Sequence, residues 1–170
     1  MPVGKPVHRN LSGLADPDQR LQWLQTLFAA EPRVRVWDWE VRRQQATPTL
    51  ETLKQLHGVE PDSSILLLLG ADAFAGMQSW RGYPEHRDYC DVAIFSRRGC
   101  ARPELPEWSE ITADEWPDRM GKGRAFYVDV MLPDISATDL RGRLAAELPV
   151  DAYIPASIEQ GVRTAYQGNI

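Results

Sequence analysis

The stretch PDISATDLRGRL (133–144) carries residue types able to hold an anion. Ser136 and Asp139, three residues apart, form a capping box ahead of an apolar stripe of Leu140, Leu144 and Leu148. A helix starting there presents unsatisfied backbone N–H groups to any negative charge. Arg141 lies near this end, where the helix dipole disfavours a cation. Helical side chains lean back toward the N-terminus, so Arg141 can reach the same anion. The competing reading is an exposed arginine on an ordinary capped helix. In LLLLGADAF (66–74), Gly70 permits a tight turn or the close approach of a ligand, and Asp72 can accept from a ribose hydroxyl or a ligand nitrogen, or simply cap a helix. Trp80, in MQSWRGY (77–83), can stack on a flat ring or pack in a core. His8 and Arg9, in MPVGKPVHRN (1–10), can bind phosphate from a loop or decorate an exposed terminus. His57 reads as a cation late in a helix, and His86 as a surface residue. The other tryptophans, at 23, 37, 39, 108 and 116, read as packing or surface. No Ser-His-Asp set, metal-ligand spacing or complete Gly-rich phosphate loop is present, and no residue stands out as a candidate nucleophile, so covalent catalysis is not indicated.

The totals bound what these groups can do. With 170 residues the chain can bury a sizeable core as one domain, 1–170. A net charge of −5 argues against a large nucleic-acid footprint, while a basic pocket for a small anion remains compatible with it. Cys90 and Cys100 make neither a disulfide framework nor a zinc set and suit a reducing compartment. The longest apolar run, Ile65 to Leu69, is too short to span a bilayer, and no secretory h-region is visible. The expectation is a cytoplasmic protein with no membrane partner. A homo-oligomer stays open.

The elements that must position the candidates follow from capping and periodicity. Asp16 caps a helix with Pro17 at its first position and Gln19 closing a capping box. Leu21, Leu24, Leu27 and Phe28 form its apolar face, and Glu31-Pro32 ends it. RVRVWDWEV (33–41) alternates and predicts a strand. ATPTLETLKQLHG (46–58) predicts a helix capped by Thr47, with Pro48 at its first position, Gly58 at its end, and Leu50, Leu53 and Leu56 buried. SILLLLG (64–70) is apolar on both faces, as in a central parallel strand. CDVAIFSR (90–97) and AFYVDVMLP (125–133) predict two more strands. The segments 135–148 and 155–166 predict helices, and 98–123 an irregular stretch. Strands alternating with helices give an α/β parallel sheet, with ligands beyond the carboxyl ends of the strands. That picks out loops 42–49, 70–83, 96–99 and 133–138.

These segments, in this order, resemble the bacterial nicotinate-nucleotide adenylyltransferase family, with its Rossmann-like nucleotidyltransferase fold. PVGKPVHR (2–9) is similar to the family's proline-rich loop, and Arg20 falls where the next helix carries an arginine. ATPTLETLKQL (46–56) is similar to Ser-Tyr-Thr-x-x-Thr-Leu, and LLLLGADAFAGMQSWRGY (66–83) to the Gly-x-Asp then Trp stretch. VAIFSRRG (92–99) is similar to the strand ending in Arg-Pro-Gly. DISATDLRGRL (134–144) is similar to the Ile-Ser-Ser/Ala-Thr-x-Ile-Arg signature, with YIP (153–155) after it. The resemblance implies transfer of the adenylyl group of ATP to nicotinate mononucleotide, giving deamido-NAD and pyrophosphate, with Mg²⁺ accompanying ATP. It implies that Thr49, Asp72 and Trp80 line the pyridine-nucleotide pocket, with Arg97 in the same cleft. It puts His8 and Arg9 by the phosphates, and Ser136 and Arg141 on those of ATP.

Departures leave alternatives open. Pro48 stands where the family has Tyr, Arg81 where it commonly has an aromatic or other side chain, and Gly168-Asn169-Ile170 where it runs Gly-Leu-Tyr. Nothing in the sequence matches the family's opening strand and Gly-Gly-Thr/Ser-Phe-Asp-Pro-x-His-x-Gly-His turn. The resemblance therefore implies that Met1 is an internal methionine, that the first strand and helix are missing, and that residues 1–170 alone are poorly active. A non-catalytic nucleotide-binding relic, an interaction protein, and a nucleotidyltransferase of different specificity are the alternatives.

Overall fold

Leu66–Leu69 and Val92–Phe95 are runs of branched and apolar residues too short for a core helix, and both form strands. The computed structural model describes residues 1–5, 13–43, 45–96, 102–104, 106–116, 121–130 and 132–166. Among these the elements are α1 (Pro17–Leu27), α2 (Trp39–Arg42), α3 (Thr49–Val59), β1 (Leu66–Gly70), α4 (Ala71–Ala75), β2 (Asp91–Phe95), β3 (Ser109–Glu110), β4 (Arg124–Val128), α5 (Ala137–Ala145) and α6 (Ala156–Tyr166). The chain divides into two units: Met1–Thr47 with Ile135–Ile170, and Pro48–Asp134. No helix among the described residues is long and apolar enough to cross a membrane.

The Pro48–Asp134 unit is an α/β parallel sheet in the order β1-β2-β4-β3. Its core joins Leu53 of α3, Phe74 of α4, Met77, Cys90, Val92, Ile94 and Trp108. Burial drives the Cys90 thiol up to about 12, so it acts as a small apolar side chain. At the amino ends of β2 and β4 lies a buried polar knot. Asp91, 1% exposed, accepts from the Arg124 backbone N–H at 3.0 Å, from its guanidinium at 2.5 Å, and from the Trp116 indole at 2.9 Å. Gly82 adopts φ +88°, and a Cβ there would lie 2.3 Å from Leu50 Cδ2. Both strain and overlap oppose a side chain, so Gly82→Ala is expected to cost about 1–3 kcal/mol. A urea midpoint lowered at unchanged m-value checks this.

In the other unit, Asp16 caps α1 by accepting the Asp18 N–H at 2.9 Å. Trp23 of α1 packs close to Gly161 of α6, and Leu144, Val150, Ile154 and Val162 form the local core. The Ala15 N–H reaches the Tyr166 hydroxyl at 3.3 Å.

Several expectations are corrected. Residues 33–38 form no strand: their alternation finds no ladder among the described residues, and Val34 is exposed. Trp37 and Trp39 instead stack on each other at 5.7 Å, and Arg42 reaches back to Asp38 at 3.1 Å to close α2. The loop 42–49 therefore follows a helix. Helix α1 ends at Leu27, four residues before Glu31-Pro32, with Phe28 as its C-cap. Helix α3 begins one residue later than predicted: Pro48 is the N-cap, and the Thr47 hydroxyl donates to the Gln45 carbonyl at 3.3 Å. Its C-cap is Glu60, so Gly58 lies inside the last turn. β1 is an edge rather than a central strand among those described, and Leu68 is 60% exposed. β4 ends at Val128, short of 133, and the stretch read as irregular contributes β3. Helix α5 stops at Ala145 because Glu147 enters the left-handed region at φ 54°, which leaves Leu148 exposed.

Candidate functional site

The carboxyl end of β1 delivers Gly70, the N-cap of α4, followed by Asp72 in the first turn. The Asp72 carboxylate folds back over this glycine: a Cβ at Gly70 would lie 2.7 Å from Asp72 Oδ1. A side chain at Gly70 would press on the tip of the Asp72 side chain, a neighbour in the chain that can turn aside, with the glycine itself at an ordinary φ of −70°. Asp72 is exposed. Trp80 follows a 3₁₀ turn over Gly76–Ser79, its N–H bonded to the Met77 carbonyl at 2.9 Å. Met77 is fully buried and anchors that turn, while the Trp80 ring is half-buried. Downstream, the Tyr83 hydroxyl donates to Glu107 at 2.7 Å, and Arg87 donates to the Glu107 carbonyl at 2.8 Å. Burial, then the Glu107 carboxylate, push the Tyr83 phenol up to about 12, so it stays a donor. Trp80 therefore sits in a turn pinned on both sides.

Thr49 is the first residue of α3, half-buried, one position before buried Leu50. Gly82 packs on Leu50, and Lys54 of α3 pairs with Glu85 at 2.8 Å. The fold thereby brings the start of α3 against the turn that carries Trp80. A second 3₁₀ turn over Glu85–Asp88 places His86 edge-on to Trp80, with ring centroids 5.8 Å apart and planes at 67°. His86, expected at the surface, is fully buried. Its signal is the spacing Met77, Trp80, Tyr83, His86, Tyr89: every third residue is buried or half-buried and those between are exposed. This is the period of a 3₁₀ helix. The expected C-terminal cation His57 lies in the last turn of α3, edge-on to Tyr89 at 5.9 Å.

In the Met1–Thr47 and Ile135–Ile170 unit the capping box forms as read. Ser136 Oγ accepts the Asp139 N–H at 3.0 Å, and the Asp139 carboxylate accepts the Ser136 N–H at 3.1 Å. Arg141 leans back along α5, its guanidinium 3.3 Å from Thr138 Oγ1. The first helical bond runs from Leu140 N–H to the Ser136 carbonyl at 2.9 Å, so the Ala137 and Thr138 N–H groups precede the ladder. The arginine and these donors share one helix end, an arrangement suited to phosphate. His8, Arg9 and Arg97 lie outside the described residues.

A cleft of about 270 Å³ lies elsewhere on the Pro48–Asp134 unit, lined by Phe74, Ile94, Trp108, Glu110 and Tyr127 among others. None of the expected site residues is among the described residues that line it. No group of three His, Cys, Asp or Glu among the described residues is arranged to hold a metal.

No family model matches the chain. A probable nicotinate-nucleotide adenylyltransferase of Chromobacterium violaceum is 31% identical over 169 residues, covering 96% of this chain and 80% of that protein. A protein of the same description from Shewanella sp. strain MR-4 is 29% identical, covering 93% of this chain and 78% of its own length. Among solved structures, Plasmodium falciparum nicotinic acid mononucleotide adenylyltransferase complexed with APC is similar, with a TM-score of 0.61 at 16% identity. It covers 90% of this chain and 77% of the other. The likeness shows a shared Rossmann-like nucleotidyltransferase fold.

Proposed function

The chain belongs to the nicotinate-nucleotide adenylyltransferase family, and from that premise we propose that it joins the adenylyl group of ATP to nicotinate mononucleotide, giving deamido-NAD and pyrophosphate. The observation that carries this reading is 31% identity sustained over 96% of the chain. In it, Asp72 and Thr49 bind the nicotinate nucleotide and Trp80 stacks on the pyridine ring. The pinned 3₁₀ turn and the half-buried indole support the stacking role. Ser136 and Arg141 hold the ATP phosphates at the start of α5, supported by the shared helix end. His8 and Arg9 take phosphate contacts and Arg97 a nucleotide contact by the family resemblance alone.

The chemistry needs no protein nucleophile. An oxygen of the nicotinate nucleotide's phosphate bonds to the α-phosphorus, and the bond from that phosphorus to the bridging oxygen breaks. The electron pair leaves with pyrophosphate. The protein's part is alignment and stabilisation of the charge that builds on the phosphoryl oxygens. ATP is taken as its Mg²⁺ complex. Such ions keep mostly phosphate and water ligands. The cytoplasm supplies both substrates in this reading.

The test is product formation by the purified chain with ATP and nicotinate mononucleotide, read as deamido-NAD by mass spectrometry. Deamido-NAD and pyrophosphate in equal amounts are expected. ATP binding without product, at any nucleotide supplied, would point to a binding relic instead.

A further inference from the structure

His86 is the least explained group in the Pro48–Asp134 unit. It is fully buried, and neither ring nitrogen has a hydrogen-bond partner among the described residues. Burying an unbonded polar ring is costly, and a hydrocarbon would fill the same slot at less cost. The aromatic ring it meets is Trp80, edge to face. Burial with both nitrogens unpartnered among the described residues suits a neutral imidazole, because a charge in this slot would lose its hydration with nothing to replace it. Two charged groups act on it in opposite senses: Glu85 on its own turn and Lys54 on α3, themselves paired at 2.8 Å. The neighbouring Cys90 is uncharged at neutral pH, its thiol donating to the His86 carbonyl at 3.5 Å. Burial first, and then Lys54, lower the proton affinity of the ring against the opposing pull of Glu85.

We propose that His86 is a positioning residue for the pyridine site: its neutral imidazole sets the angle at which Trp80 stacks on the nicotinate ring, and protonation of His86 releases that indole. The inference rests on the reading of Trp80 as the stacking residue. Among the described residues neither N–H of an imidazolium in this slot meets an acceptor, and the nearby Glu85 carboxylate points its Oε1 to Lys54. The charged ring must draw in water or leave the slot, and Trp80 lies against it. Nicotinate mononucleotide then binds the neutral form more tightly, and by reciprocity its binding lowers the His86 pKa by the same factor.

The experiment is an NMR titration of the histidine rings in the whole chain, with and without saturating nicotinate mononucleotide. His86 is assigned with His86→Leu. Its midpoint is expected to fall by about 0.5–1 pH unit on saturation, matched by a Kd about 3- to 10-fold weaker below the midpoint than at pH 7.5. In His86→Leu this part of the pH dependence disappears, leaving only the titration of the ligand's own phosphate near pH 6, which both proteins share. A midpoint unmoved by ligand, or the full wild-type pH dependence surviving in His86→Leu, overturns the inference. Trp80→Ala separates the two levels. If it weakens the Kd while saturation leaves the His86 midpoint of the unsubstituted chain unmoved, only the role of His86 falls; if it leaves the Kd unchanged, the stacking role of Trp80 falls and this inference with it.

Discussion

Asp91→Ala is expected to lower the unfolding free energy of the Pro48–Asp134 unit by about 3–5 kcal/mol, the cost of stranding a buried charge. The carboxylate takes donors from the Arg124 backbone, the Arg124 guanidinium and the Trp116 indole. Arg124 is 8% exposed, so it cannot turn to water without opening the sheet. The pair ties β2 to β4 where their parallel ladder begins, since Val92 pairs with Ala125 one residue on. A loss of this size is about a fifth or more of the roughly 5–15 kcal/mol that stabilises an ordinary small domain. Urea unfolding followed by tryptophan fluorescence measures it. The double variant Asp91→Ala with Arg124→Met is expected to recover much of the loss, because removing both partners also removes the stranded charge. If the single variant costs under about 1 kcal/mol, the knot is solvated in solution and the argument fails.

Arg141→Ala is expected to reduce kcat/KM for ATP by about 10²–10³-fold, the scale for removing one preorganised donor from a developing charge. Stability should hardly change. The capping box is made by Ser136 and Asp139, and the Arg141 link to Thr138 is an exposed contact at 3.3 Å. Arg141→Lys should restore only part of the rate, because an ammonium cannot reproduce a bidentate fork on phosphate. Steady-state kinetics with thermal unfolding as the control decides the matter. A loss of activity that tracks a loss of melting temperature would mark Arg141 as structural.

The parts of the fold that were legible are those whose cause is local. Asp16 caps α1 and Ser136 with Asp139 starts α5 because a side chain bonds an N–H two or three residues away. β2 and β4 form from short apolar runs that no amphipathic helix would use. Arg141 leaning toward Thr138 likewise follows from the direction of helical side chains.

The misreadings have a common origin. RVRVWDWEV alternates as a strand should, but a strand is made by a neighbour, and alternation does not supply one. The stacking of Trp37 on Trp39 and the Arg42–Asp38 pair settle those residues another way. The burial of His86 carries no period of 2 or 3.6, because its segment follows a three-residue repeat that begins and ends in 3₁₀ turns.

By itself the sequence determined the caps at Asp16 and Ser136, the strand character of Leu66–Gly70, Asp91–Phe95 and Arg124–Val128, and which residues match a family of adenylyl transferases, since these depend on neighbours in the chain or on residue identity alone. Tertiary structure alone decided the order β1-β2-β4-β3, the closing of Asp91 on Arg124 and Trp116, and the burial of His86 against Trp80. Those outcomes join residues distant in the chain or depend on what covers a side chain. Their energies come from packing and desolvation, which exist only once the surrounding elements have met.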